Sequence, residues 1–141
     1  MNTTDFIDRT VQKTHIWLRE LSEYTGRDDQ HLAYQELRGV LHTLRDRLTV
    51  EEAASLAAQL PLLVRGMYYD GWRPSIQPVK MRSEDEFVQA VADKVSDNPQ
   101  INPKEAINHV FRLLNHKISE GELDDVQRML PEEIRRLWPH A

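Results

Sequence analysis

The chain contains no cysteine. That excludes disulfides, thiolate chemistry and zinc or iron–sulfur centres held by cysteine. Long apolar runs are also missing. The longest stretches from Ala53 to Val64 and is interrupted by Ser55, Gln59 and Pro61. A bilayer span takes roughly 20 predominantly apolar residues, so this run is too short and too mixed to cross. The opening MNTTDFIDRT has neither a basic start nor an apolar centre, and it does not read as a secretory signal. No segment alternates apolar and polar residues with strand chemistry, so no sheet is expected. GxGxxG, P-loop and GxSxG motifs are absent, and Gly39, Gly66 and Gly121 stand isolated. The expectation is a cytoplasmic, all-α protein with no cofactor.

What is present fits an ordinary globular chain. Of 141 residues, 40% are hydrophobic and 29% charged, which is too apolar for a disordered polymer. A net charge of −5 disfavours non-specific nucleic-acid binding, which needs a cationic surface to displace counterions.

Apolar spacing is helical nearly throughout. Leu37, Leu41, Leu44 and Leu48 share one helix face, widened by Val40. Ile107, Val110, Phe111, Leu114 and Ile118 repeat the pattern. Thr3 or Thr4 can cap a first helix that runs to about Tyr24, with Gly26 as a left-handed stop. A second helix should extend from about Asp29 to Leu48. Thr49 with Glu52, Ser83 with Glu86 and Ser119 with Glu122 each have capping-box spacing: the hydroxyl takes a first-turn N–H while the carboxylate reaches back to the cap N–H. Pro61 and Pro131 fit first turns of short helices, Leu62 to about Tyr69 and Glu132 to Leu137.

TVEEAASLAAQLP, residues 49–61, is echoed by SEGELDDVQRMLP, residues 119–131. At a constant offset of 70, Leu37 aligns with Ile107, Leu41 with Phe111, Glu52 with Glu122, Pro61 with Pro131, Arg65 with Arg135, and Tyr68 with Trp138. Caps, prolines and arginines coinciding at one offset indicate an internal duplication. The reading is two tandem helical-bundle repeats, residues 1–72 and 84–141, joined by a linker at 73–83. Each repeat alone buries too little surface to be stable, so the two should pack together with pseudo-twofold symmetry. Gly71, Pro74 and Pro78 break any helix around the linker.

The run LRGVLHTLRDRLTVEEAASLAAQLPLLVRGMYYDGWRPS and the closing AINHVFRLLNHKISEGELDDVQRMLPEEIRRLWP resemble the bacterial family catalogued as domain of unknown function 2267. The likeness covers about Trp17 to Pro139. It implies an all-helical, duplicated fold and carries no assigned activity, substrate or catalytic residue.

Candidate sites follow from residue chemistry. Tyr68, Tyr69 and Trp72, ahead of Arg73, Lys80 and Arg82, form an aromatic and basic cluster of the kind found at interface hot spots. The alternative is that these rings plug the seam between the halves. Arg65 and Arg135 could hold an anion, or could serve packing that both halves need, through Glu52 and Glu122 or through helix-end carbonyls. The six histidines show no i, i+3 or i, i+4 pairing, which argues against a metal site on a helix. Acidic clusters at Asp28-Asp29, Glu84-Asp85-Glu86 and Asp124-Asp125 sit where first turns favour negative charge. Arg45, Arg47, Arg135 and Arg136 are interleaved with acidic residues and read as a solvated face rather than a nucleic-acid surface. No residue is assigned a catalytic role. The leading functional expectation is a non-enzymatic protein-interaction or scaffold protein that can self-associate. The alternative is a small-molecule or enzymatic bundle with a pocket lined by Trp72, Tyr69 and Arg65.

Overall fold

The computed structural model describes residues 3–140. These form eight α-helices and one 3-10 turn, with no strand among the described residues. In order they are α1 (Thr3–Thr25), α2 (Gln30–Arg47), α3 (Val50–Ala57), α4 (Leu62–Tyr69), the 3-10 turn (Pro74–Ile76), α5 (Glu84–Lys94), α6 (Pro103–Lys117), α7 (Glu120–Met129) and α8 (Glu132–Arg135).

Local side-chain chemistry sets most of the starts. Asp29, Thr49, Ser83, Asn102 and Ser119 each accept a backbone N–H three residues on, which satisfies one of the donors a helix leaves unpaired. Asn102 followed by Pro103 opens α6, a start the sequence reading leaves unmarked. Gly26 adopts φ +72° after α1, a left-handed turn that costs glycine nothing sterically. α1 begins at Thr3, so Thr4 lies within its first turn; the side chain of Thr3 falls outside the described residues. α8 stops at Arg135, two residues short of the expected Leu137, because Leu137 and Trp138 close their amides on Ile134 and Arg135 carbonyls in a tighter turn.

Only one of the three expected capping boxes is complete. Glu86 reaches back to the Ser83 amide at 3.2 Å. Thr49 and Ser119 supply the first half of a box, taking the amides of Glu52 and Glu122. The Ser119 amide is instead taken by Gln59, in the turn that follows α3, at 2.9 Å. A non-local partner has displaced the local one, and the Glu122 carboxyl turns elsewhere.

α2 lies at the centre, packed on α1, α4, α5 and α6, while α3 packs on α7. One apolar core runs through all of them, from Trp17 and Leu21 through Leu37, Leu41 and Tyr68 to Phe87, Phe111 and Trp138. Phe111 stacks on Trp138 with centroids 3.9 Å apart, an arrangement that adds to the area both rings bury. The connection after α4 is bound to the C-terminal end of α2. Val79 N–H donates to Asp46 O at 2.8 Å, Arg47 Nε to Met81 O at 2.7 Å, and Gln77 Nε2 to Leu48 O at 2.8 Å. Carbonyls at a helix end lack intrahelical partners, and Val79 and Gln77 supply donors for two of them, while Arg47 donates in the other direction.

Candidate functional site

The aromatic cluster forms where α4 ends against α2. Tyr68 is fully buried and its hydroxyl donates to Ala53 O at 2.8 Å. Burial pushes its phenol above the ordinary tyrosine range. Tyr69 packs edge-on to Tyr68, with centroids 5.4 Å apart, and tilted against Trp72 at 5.1 Å. Trp72 Nε1 donates to Gln77 Oε1, and the Gln77 amide donates to Arg45 O and Leu48 O. The rings are therefore tied through Gln77 to the end of α2.

Two further α2 residues complete this arrangement, and one corrects the sequence expectation: Arg45 is buried rather than on a solvated face. Arg45, only 4% exposed, donates through Nη1 to Tyr68 O at 2.7 Å and to Asp70 O at 3.0 Å. His42 Nε2 donates to Met67 O at 2.7 Å. Burial lowers the His42 pKa, with the Met67 carbonyl opposing that shift. The last turn of α4 thus has its carbonyls satisfied by two side chains three positions apart on α2. Their sequence signal was a basic residue and a histidine on a helix otherwise reading as core, at i and i+3.

Arg65 and Arg135 have parallel roles at the two proline joints. Arg65 Nε donates to Ala57 O at 2.9 Å and Nη2 to Leu60 O at 2.9 Å. Arg135 Nε donates to Gln127 O at 3.1 Å and Nη2 to Leu130 O at 3.0 Å. Each planar fork gathers carbonyls around the end of the preceding helix. Arg73 is exposed and precedes the 3-10 turn without a side-chain cap bond. The structure gathers Tyr68, Tyr69 and Trp72, while the guanidinium groups of Arg65 and Arg135 are engaged at the joints.

Two surface features flank this core. A cavity of about 550 Å³ lies among α6, α7 and α8; Asn115, Asp124, Arg135, Arg136, Trp138 and His140 are among its walls. Trp138 Nε1 donates to Asn115 Oδ1 at 2.6 Å, and Arg136 pairs with Glu132 at 3.1 Å. The second feature is apolar. Phe6, Ile7, Leu62 and Leu63 are 61%, 57%, 48% and 48% exposed. Phe6 and Leu62 line one shallow depression beside Lys13 and Arg65, and the Leu63 amide donates to Thr10 Oγ1 at 3.2 Å. Ile7 and Val11 are at the i, i+4 spacing and continue toward Leu18 on the face that carries the buried Trp17 and Leu21. The apolar stripe of α1 thus extends beyond the part of the helix that the core covers.

The histidines take varied partners. His109 Nδ1 meets Glu36 Oε1 at 3.0 Å across α6 and α2, and His116 lies 3.3 Å from Glu20 and 2.8 Å from Tyr24. Among the described residues, no three His, Asp or Glu side chains are gathered so as to hold a metal ion. No described helix is long and apolar enough to cross a membrane.

Residues 14–137 match the family described as uncharacterized conserved protein, DUF2267. The chain belongs to that family. No curated protein matches it. The DUF2267 span takes in the aromatic cluster, both arginine joints and the α3–α7 contact. Phe6, Ile7 and Val11 lie outside the matched residues.

Proposed function

We propose that this DUF2267 protein is a non-enzymatic protein-interaction module of the cytoplasm, and that its partner is a second copy of the same chain. The observation that supports this reading is the exposed Phe6, Ile7, Leu62 and Leu63 face. Phe6 and Leu62 line one depression, and exposed apolar surface rimmed by polar groups marks interaction sites on soluble proteins. A face composed of aliphatic and aromatic groups matches its own copy about a twofold axis, where one patch serves both subunits. The polar groups of the aromatic cluster support the same reading from the other side. Arg45, His42, Arg65 and Gln77 are engaged with backbone carbonyls, as suits a scaffold.

The two halves, residues 1–72 and 84–141, are read as copies of one unit joined by residues 73–83. Support comes from the equivalence of Arg65 with Arg135, of the Pro61 and Pro131 backbones (φ −57° and −56°), and of the Thr49 and Ser119 caps.

The test is sedimentation of the native chain over a wide concentration range, beside Phe6→Glu and Leu62→Glu. A dimer in the native chain that becomes a monomer in both variants supports the proposal. A native chain that stays monomeric at the highest soluble concentration refutes it.

A second reading is a small-molecule site, favoured by the cavity among α6, α7 and α8 with its Arg135, Arg136 and His140 walls. A ligand that binds only the folded chain raises its melting temperature by mass action. Thermal shifts with small metabolites, abolished by Trp138→Ala and retained in Phe6→Glu, would favour this reading.

A further inference from the structure

Glu52 of α3 and Glu122 of α7 meet where these two helices pack. Each has a buried Oε1 with no donor from any other group. Glu122 is 7% exposed, and its other oxygen, Oε2, accepts from Ser55 Oγ at 2.9 Å. Both residues occupy the third position of their helices, where a capping box would send the carboxylate back to the cap amide. At Ser119 that amide is already occupied by Gln59, and Gln59 Nε2 in turn donates to Ser119 Oγ at 3.0 Å. The carboxyl freed by this non-local bond faces its counterpart seventy positions away.

Two carboxylates cannot both ionise cheaply in contact within a partly buried site. Two orphaned acceptor oxygens are satisfied together if one carboxyl keeps its proton and donates it to the other. The surrounding charges point the same way. Asp125 lies one turn beyond Glu122 on α7 and adds further negative potential, partly offset by Arg128 at 3.6 Å. From α4 the neighbouring titratable group is Tyr68, neutral and hydrogen-bonded to Ala53 O. The Glu52 carboxyl is accordingly pushed up to about 7, first by burial, then by the hydrogen bond and charge of Glu122, then by Asp125.

We propose that Glu52 and Glu122 share one proton as a latch that fastens α3 to α7, and that loss of this proton loosens the contact. Ser55 donates to Glu122, so the charge resides on Glu122 and the proton on Glu52. No bond is made or broken beyond the transfer of that proton to solvent. The sign follows from linkage. A carboxyl whose folded pKa is raised binds a proton that the unfolded chain has already released, so its contribution to stability falls as pH rises from about 4.5 to about 7. Above that interval both carboxylates are charged and the α3–α7 contact carries their full repulsion.

The test compares the native chain with Glu52→Gln by chemical denaturation from pH 5 to pH 8.5. The glutamine amide donates permanently to Glu122 and removes the titration. The denaturation midpoint of the variant should rise relative to the native chain as pH increases, and the difference should level off above about pH 7. Midpoint curves that stay parallel throughout overturn the proposal. A second measurement needs no variant: the glutamate side-chain carbons of the isotope-labelled native chain are followed by NMR. One carboxyl titrating near pH 7 supports the latch. All glutamates titrating in the ordinary range near 4.5 overturn it.

Discussion

Gly39 of α2 lies so close to Val95, at the end of α5, that a β-carbon on Gly39 would stand 2.7 Å from Val95 Cγ1. Val95 is 5% exposed and has little room to yield. Gly39 is thus a point of close approach between α2 and the end of α5. In an exposed helix, alanine would be about 1 kcal/mol better than glycine. Overpacking of this kind costs about 1–3 kcal/mol. Gly39→Ala should therefore destabilise by about 1 kcal/mol net. Adding Val95→Ala should recover most of the clash, so the double variant should deviate from additivity by about 1 kcal/mol or more. Urea denaturation of the four-member cycle measures this directly.

The arginine joints should differ in strength. Arg65 donates to the carbonyls of Ala57, Ala58 and Leu60 and is partly buried; Arg135 donates to those of Gln127 and Leu130 and is exposed. Net hydrogen bonds from charged groups are worth about 1.5–3 kcal/mol when buried and less in water. Arg65→Ala should cost about 2 kcal/mol and Arg135→Ala about 1 kcal/mol. Arg65→Lys should restore less than half of the loss, because a single ammonium cannot reproduce the fork. Denaturation midpoints at constant m-value are the readout.

His42 predicts an acid-side slope. Its folded pKa is lowered, chiefly by burial, whereas an unfolded histidine takes up a proton near pH 6.5. Below that pH the unfolded chain binds more protons than the folded one, so stability falls as pH drops through about 6.5. His42→Gln retains a donor for the Met67 carbonyl and should flatten this limb. The Glu52–Glu122 pair slopes the opposite way, so the difference between native and His42→Gln curves, rather than either curve alone, isolates the histidine.

How far these relationships can be read from sequence depends on the reach of each partner. Asp29, Ser83 and the α4 boundaries were legible because the helix signals involved are local: a cap and its amide stand three residues apart, and proline fixes its own φ. The offset that pairs Arg65 with Arg135 was legible as a pattern; of the two partner sets open to them, carboxylates or helix-end carbonyls, they hold the carbonyls. Glu52 and Glu122 carried a valid capping-box spacing, and at Glu122 that local rule lost to Gln59, which reaches the Ser119 amide from the turn after α3. Gln77 gave no signal at all. A glutamine in a proline-flanked connection looks like solvent-facing polarity, and its role arises only because the chain folds back on the end of α2. Among the candidate residues, the aromatic trio was found by composition, while Arg45 was taken for a solvated residue and the role of His42 was hidden, because the polar groups they serve lie more than twenty positions away.

The overhang of α1 bears on how this sequence can drift. Phe6 and Ile7 stay more than half exposed in a lone molecule, so folding exerts little pull on their identity. Variants screened solely for foldedness should replace them freely with lysine or glutamate, gaining solubility. Variants screened for assembly should keep them greasy. The first turns of the protein thus answer to a different master than the helix they begin.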